Sequence, residues 1–322
     1  MICIMKLYII VPCYNEEECI EDSVSQLLTK YEELINNGSI DGDSRIVLVN
    51  DGSRDATGTM CSDFHKKDER IVCIHFSGNF GHQAAVLAGY HYAADRCDCA
   101  ISIDADLQQD IDAIDFFLEE YKKGSDIVYG VRNSRDTDGL FKKFSSQLFY
   151  KIMKICGSTT IANHADYRLL SSRALKALKE YREVNIFLRG LIPTLGFPSS
   201  IVHFDVKERA AGKSKYTLKK MMSLAANGIT SFSISPIHYI FYLGLLVLAI
   251  SVIVVIITLV DWIHGVNVSG YTTIVLSIWI LGALQLIAIG IIGEYIGKNY
   301  FESKHRPQYL IEKIEDNRNE EI

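Results

Sequence analysis

From residue 5 to about residue 230, short apolar runs alternate with segments of helical periodicity; beyond residue 236 two long, nearly uncharged runs replace them. The runs "LYIIVP", "RIVLVN", "IVCIHF" and "CAISID" read as strands, and Glu17 to Asn36, Thr57 to Lys67 and Gln83 to Asp95 read as the helices between them. A further run, "DIVYG", follows. Alternation of this kind predicts an α/β fold with right-handed crossovers and a mostly parallel sheet. Ligands of such a sheet sit beyond the carboxyl ends of its strands. Polar clusters fall there: "PCYNEEE", "NDGSRD", "SGNFGH" and "DADLQ".

The late runs change the picture. Residues 237–260 carry no charge, and 24 residues at about 1.5 Å each reach about 36 Å, enough for the roughly 30 Å hydrocarbon layer. Residues 272–293 give about 33 Å by the same arithmetic. A two-helix transmembrane hairpin is expected. The loop "DWIHGVNVSGY" between the runs lacks Lys and Arg, whereas "GKNYFESKHRPQYLIEK" after them is basic, so both termini are expected in the cytoplasm. Lys215, Lys219 and Lys220 beside Leu218, Met221, Met222 and Leu224 suit a helix lying on an anionic membrane surface. The expected division is a cytoplasmic domain at 1–212, an interfacial segment at 213–236, the hairpin at 237–297 and a cytoplasmic tail at 298–322.

Composition adds exclusions. A net charge of −6 argues against a nucleic-acid binder that relies on overall charge. Eight cysteines without C-x-x-C spacing indicate neither zinc nor a disulfide framework and are read as reduced thiols. The opening "MICIMKLYIIVPCYN" leads into a strand with no small-residue cleavage site, so no signal peptide is expected.

The strongest local chemistry is "AISIDADLQQD". Asp104 and Asp106 end an apparent strand two residues apart, where alternation aims both carboxylates the same way. With Gln108 they form an oxygen donor set suited to Mg²⁺ or Mn²⁺, and an ion there bridges a diphosphate. The first loop replaces a dinucleotide-type glycine motif with Pro12-Cys13-Tyr14-Asn15-Glu16, a ring and a carboxylate on which a base or ribose can rest, although Asn15 and the glutamates also suit a helix start. Asn50 and Asp51 precede a turn and can meet a nucleobase edge. Arg132 and Arg135 follow "DIVYG", "HADYRLLSSRAL" sets Asp166 and Arg168 near the start of a helix, and "KERAAGKSKYTL" holds Arg209, Lys213, Ser214 and Lys215 in a loop. These cations suit two phosphate groups.

The ordered set "VPCYNEEE", "VNDGSRDAT", "SGNFGHQAAVLAGY", "DADLQQD", "YGVR", "ADYRLLSSRAL", "FLRGLIPTLGF" and "ERAAGKSKY", with the apolar carboxyl end, resembles glycosyltransferase family 2 over about residues 5 to 300. Within it the chain is most similar to the polyprenyl-phosphate glycosyltransferases, which include dolichol-phosphate mannose synthase and the bactoprenol glucosyltransferases. The resemblance implies a nucleotide-sugar-binding, Rossmann-like domain of GT-A type and a hexose, glucose from a uridine donor, moved to polyprenyl phosphate at the inner membrane. It implies that Pro12, Tyr14, Glu16, Asn50 and Asp51 line the nucleotide pocket and that Asp104, Asp106 and Gln108 hold the metal and diphosphate. Arg132, Arg135, Arg209, Ser214 and Lys215 would meet diphosphate or lipid phosphate, with Asp166, Arg168 and Asp106 at the reacting centre. Asn50 departs from the family, which usually has an aspartate there, and "LQQDID" replaces a proline-containing continuation. A homo-oligomer and partnership with a flippase and a multispan glycosyltransferase are compatible with this reading. Its competitors are a catalytically silent membrane scaffold, a nucleotidyltransferase, and a polysaccharide synthase, whose Q-x-x-R-W motif is absent.

Overall fold

The computed structural model describes residues 4–133, 164–183, 187–205, 235–264 and 270–318. One eight-stranded sheet organises the first compact unit, in the order β7-β5-β6-β4-β1-β2-β3-β8. Its centre is β1 (Leu7–Cys13), β2 (Arg45–Asn50), β3 (Ile71–Phe76) and β4 (Cys99–Ser102), all parallel. Helices α1 (Ile20–Asn36), α2 (Thr57–Lys67) and α3 (His82–Ala93) make the crossovers, and α4 (Ala113–Lys122) leads into β5 (Ile127–Arg132). The central strands are buried on both faces, which is why they read as unbroken apolar runs. Helix α3 approaches β1 so closely that a Cβ on Gly89 would stand 2.3 Å from Ile10 Cγ2.

Two strands run against the others. β6 (His164–Ser171) lies antiparallel between β4 and β5, and β8 (Ile311–Glu315) lies antiparallel on the β3 edge. Asp166 and Arg168 therefore sit on a strand rather than near a helix start, and α5 begins only at Ser172, with the Ser171 side chain accepting from the Ala174 N–H. The alternation explains the difference. Tyr167 and Leu169 face the main core, where the Tyr167 ring packs edge-on against Phe117 and Phe204, while Arg168 and Leu170 are buried on the opposite face. The sequence itself alternates, His164, Asp166 and Arg168 against Ala165, Tyr167 and Leu169, which is the period of two expected of a strand. After α5 (Ser172–Lys179), α6 (Leu188–Thr194) and β7 (Ser199–Phe204) complete the sheet.

Residues 235–264 and 270–305 form the second compact unit. It contains α7 (Ser235–Ile263) and α8 (Tyr271–Ser303), which expose large apolar side chains such as Leu246, Ile256, Ile278 and Leu286. Among the described residues one stretch, Ile280–Ser303, is long and apolar enough to cross a membrane, and Tyr239–Val254 is a shorter apolar stretch. The segment expected to lie on the membrane surface falls outside the described residues up to 234.

Candidate active site

Parallel strands β1 to β4 end on one edge of the sheet, and their loops meet there. Helix α1 locks the first loop to the loop after β4: Ser23 Oγ donates to the Ala105 carbonyl at 2.6 Å. Asn15 (φ 53°) and Leu107 (φ 43°) occupy the left-handed region, one in each loop. Non-glycine residues held there cluster at ligand sites. Tyr14 is exposed, Pro12 is buried, and the half-buried Glu16 accepts from Cys19 Sγ at 3.3 Å.

The second loop faces inward. Asp51 is buried, and its carboxylate accepts from the Phe80 N–H at 2.6 Å, the Gly81 N–H at 2.9 Å and Asn79 Nδ2 at 3.0 Å. Burial pushes its pKa up against those backbone bonds. Asp51 thus ties the loop after β2 to the loop after β3. Gly52 lets the two approach, because its φ is 62° and a Cβ would stand 2.4 Å from the Gly78 carbonyl carbon. Gly52→Ala is therefore expected to cost about 1–3 kcal/mol of stability and to weaken nucleotide binding, measured by thermal unfolding and calorimetric titration. Wild-type values in both would show that the loops can part without cost.

The acidic centre is assembled by β4 and β6. Ser102 pairs with Arg168 across the antiparallel ladder, and continuing that register two residues sets Asp104 opposite Asp166. His82, the first residue of α3, holds Nε2 3.7 Å from an oxygen of each. Arg189 in α6 reaches the Asp166 carboxylate with Nε at 3.2 Å and Nη2 at 2.9 Å, and the fully buried Arg168 donates to the same group. Burial favours the neutral acid at Asp166, but Arg189 and Arg168 outweigh it and hold this carboxyl well below the usual carboxylate range. At Asp104 burial raises the pKa, His82 opposes the rise and Asp166 adds to it.

Asp106 is exposed, and Gln108 contributes a backbone N–H to Asp106 Oδ1 at 3.3 Å. The amide that meets Asp104 is that of Gln109, which is buried, donates through Nε2 and leaves Oε1 without a partner. Leu107, with φ 43°, turns the loop between Asp106 and Gln108. Carboxylates and an orphaned amide oxygen form a hard, oxygen-only set, which fits Mg²⁺ or Mn²⁺. Arg132 is exposed at the end of β5; Arg135, Arg209, Ser214 and Lys215 lie outside the described residues. His82 and Arg189 were not singled out, although "SGNFGH" and "FLRGLIPTLGF" contain them. No local spacing signals them, because β-sheet register and helix docking bring them to Asp166.

Residues 8–179 match the family model described as glycosyl transferase family 2. The chain belongs to glycosyltransferase family 2. An uncharacterized glycosyltransferase of Bacillus subtilis, YkoT, is 46% identical over 306 residues, covering 95% of this chain and 91% of that protein. The bactoprenol glucosyl transferase of Shigella phage SfV is 38% identical over 309 residues, covering 95% and 98%. Among solved structures, glucosyl-3-phosphoglycerate synthase from Mycobacterium tuberculosis, in complex with Mn²⁺, UDP-glucose and phosphoglyceric acid, is similar at TM-score 0.43 and 16% identity, covering 70% of this chain and 78% of that one. The protein is thus a family 2 enzyme with a GT-A-like α/β domain whose acidic centre lies at the strand ends.

Proposed function

We propose that this enzyme transfers glucose from UDP-glucose to a polyprenyl phosphate such as undecaprenyl phosphate at the cytoplasmic face of the membrane, with inversion in a single displacement. The observation that carries the reading is the convergence of Asp104 and Asp166 around His82 and Arg189, in a family 2 chain whose near-full-length relatives include bactoprenol glucosyl transferases. Asp104, Asp106 and Gln109 would hold Mg²⁺ or Mn²⁺, which when bound offsets the charge of a leaving diphosphate. Tyr14 and Glu16 would bear on the nucleotide, and Asn50 and Asp51 would set the shape of its pocket. Arg132 is free to meet phosphate, with Arg135, Arg209, Ser214 and Lys215 assigned to the diphosphate and the lipid phosphate.

Asp166, clamped by two guanidinium groups, orients the acceptor or sugar rather than accepting a proton. A strong base is not needed, because a phosphate monoester with a second pKa of about 6 is largely ionised at pH 7. Membrane attachment completes the scheme. The described residues up to 205 and from 306 onward belong to one compact unit; in this reading α7 and α8 between them each span the bilayer, an even number of crossings with both termini in the cytoplasm. Holding the enzyme beside a lipid acceptor raises the effective concentration of each for the other. The product would suit a flippase and a multispan glycosyltransferase, and the apolar helices would permit a homo-oligomer among membrane lipids.

The test is release of nucleoside diphosphate from a panel of nucleotide sugars, with and without undecaprenyl phosphate, by the full-length protein in detergent with Mg²⁺ or Mn²⁺. Acceptor-dependent UDP release, greatest with UDP-glucose, is the expected result. Equal release without acceptor, or greater release of GDP from GDP-mannose, would overturn the acceptor or the donor assignment respectively.

A further inference from the structure

The chain that follows α8 returns to the sheet, and it does so beside the nucleotide loop. Strand β8 pairs with β3 so that Glu315 faces Cys73 and Lys313 faces His75. Tyr309 stacks on Phe76 with ring centroids 5.2 Å apart, and the Leu310 carbonyl accepts from the Ser77 N–H at 3.1 Å. Three groups then form a line. Glu315 Oε2 is 3.2 Å from His75 Nε2, and His75 Nδ1 is 3.2 Å from Asn50 Nδ2. At its far end the Asn50 Oδ1 accepts from the Ser53 N–H at 3.0 Å, and Ser53 Oγ accepts from the Asn15 N–H at 3.1 Å.

Donor and acceptor roles along this line are mutually determined. An amide N–H can only donate, so His75 Nδ1 must present its lone pair to Asn50. The ring proton then belongs on Nε2, where the Glu315 carboxylate accepts it; the Ser62 hydroxyl lies farther from the same nitrogen, at 3.4 Å. Hydrogen bonds from Lys313, Ser62 and His75 hold Glu315 ionised, its pKa lowered to about 2 against the opposing effect of burial. Cys73, His75 and Glu315 are also close enough for one cation, with ligand atoms within 4.8 Å of one another. Each of them already has a protein partner, however, Cys73 Sγ donating to the Cys61 carbonyl at 2.8 Å, so the cluster is complete as a hydrogen-bonded relay.

We infer that Glu315 and His75 are positioning residues for the nucleotide donor: through the imidazole tautomer they fix which end of the Asn50 amide faces inward, and so the loop from Asn50 to Ser53 against Asn15. This rests on the nucleotide reading of those loops given above. A segment beyond the membrane helices thereby sets the geometry of a pocket built by the amino-terminal strands. Without the carboxylate, the imidazole can exchange tautomers, the amide can turn over, and the loop loses its single register.

The experiment is calorimetric titration of UDP, in the presence of Mn²⁺, into full-length protein in detergent. Glu315→Ala and His75→Ala are each expected to weaken UDP binding about tenfold. Glu315→Gln, whose side-chain oxygen still accepts from Nε2, is expected to stay near the wild-type value. In an Asn50→Ala background the effect of Glu315→Ala is expected to disappear, because the two substitutions cut one line. Unchanged binding in Glu315→Ala, or an undiminished effect of it in the Asn50→Ala background, would overturn the inference and reduce Glu315 to an edge-strand residue. Failure of the wild type to bind UDP, GDP or CDP would instead overturn the nucleotide reading, and the inference with it.

Discussion

Asp106→Ala is expected to reduce hexose transfer by on the order of 10²–10³-fold while leaving the protein as stable as the wild type. The two halves of this expectation have separate causes. Asp106 is exposed on a loop whose position is secured elsewhere, by Ser23 on the Ala105 carbonyl and by the buried side chain of Leu107, so its removal uncovers no buried polar group. Its carboxylate accepts an exposed backbone N–H, that of Gln108, which water can satisfy in its place. The proposed role is to help neutralise a leaving diphosphate, and a preorganised charge aimed at developing charge is worth several powers of ten in rate. Turnover and thermal unfolding measured on the same preparation separate the two effects. Near-wild-type turnover would remove Asp106 from the diphosphate site.

Asp166→Asn is expected to reverse that pattern, with a large loss of stability and a smaller loss of rate. Arg168 is fully buried, its Nε and Nη1 have no partner, and its Nη2 donates to Asp166. An uncharged amide at position 166 leaves that guanidinium buried without a counter-charge. Removing one member of a buried pair typically costs about 3–5 kcal/mol, and the loss should be plain in thermal unfolding. Transfer by the folded fraction should fall by less than the roughly 10²–10⁴-fold that loss of a general base brings. Because Arg189 and Arg168 hold the Asp166 carboxyl well below the usual range, it stays ionised as the pH falls through the neutral and mildly acid region. The pH–rate profile of the wild type should accordingly contain no limb that Asp166→Asn abolishes. A limb that disappears with this substitution, or a rate loss as deep as that of Asp106→Ala, would make Asp166 the proton acceptor.

Much of the sheet was legible because its centre is buried on both faces. Arg45–Asn50, Ile71–Phe76 and Thr57–Lys67 stand where apolar runs and helical periodicity predict them. Helix α1 begins at Ile20 rather than Glu17, since Asn15 turns left-handed and residues 17–19 complete the turn. Strand β6 was missed where its apolar residues run into the Ser-Ser-Arg-Ala-Leu start of α5. β7 was also unnamed, and so was β8, whose Ile-Glu-Lys-Ile-Glu pattern reads as a charged tail and only makes sense on a sheet edge. This omission has a practical consequence: removing everything from residue 237 onward would strip an edge strand from the first compact unit along with the two apolar helices. The better deletion joins the chain across residues 235–303 and retains the segment from Arg306.

The site divides along the same line. Asp104 and Asp106 were singled out as a strand end, but β4 closes at Ser102 and both stand in the loop after it, as Tyr14 and Glu16 stand in the loop after β1. Which groups meet them was not legible. Asp166, His82 and Arg189 come together through antiparallel register and the docking of α3 and α6, and the buried Gln109 amide meets Asp104 after the positive-φ turn at Leu107. These are tertiary facts with no signature in local spacing.

The most direct measurement is the mass of the lipid product formed by purified full-length protein from undecaprenyl phosphate and UDP-glucose in detergent with Mg²⁺ or Mn²⁺. A gain of one hexose on the lipid, dependent on acceptor and lost in Asp106→Ala, is the predicted result. Unmodified lipid with every nucleotide sugar tested, from protein that still binds nucleoside diphosphate, would contradict the transferase account and leave a membrane scaffold that retains the fold.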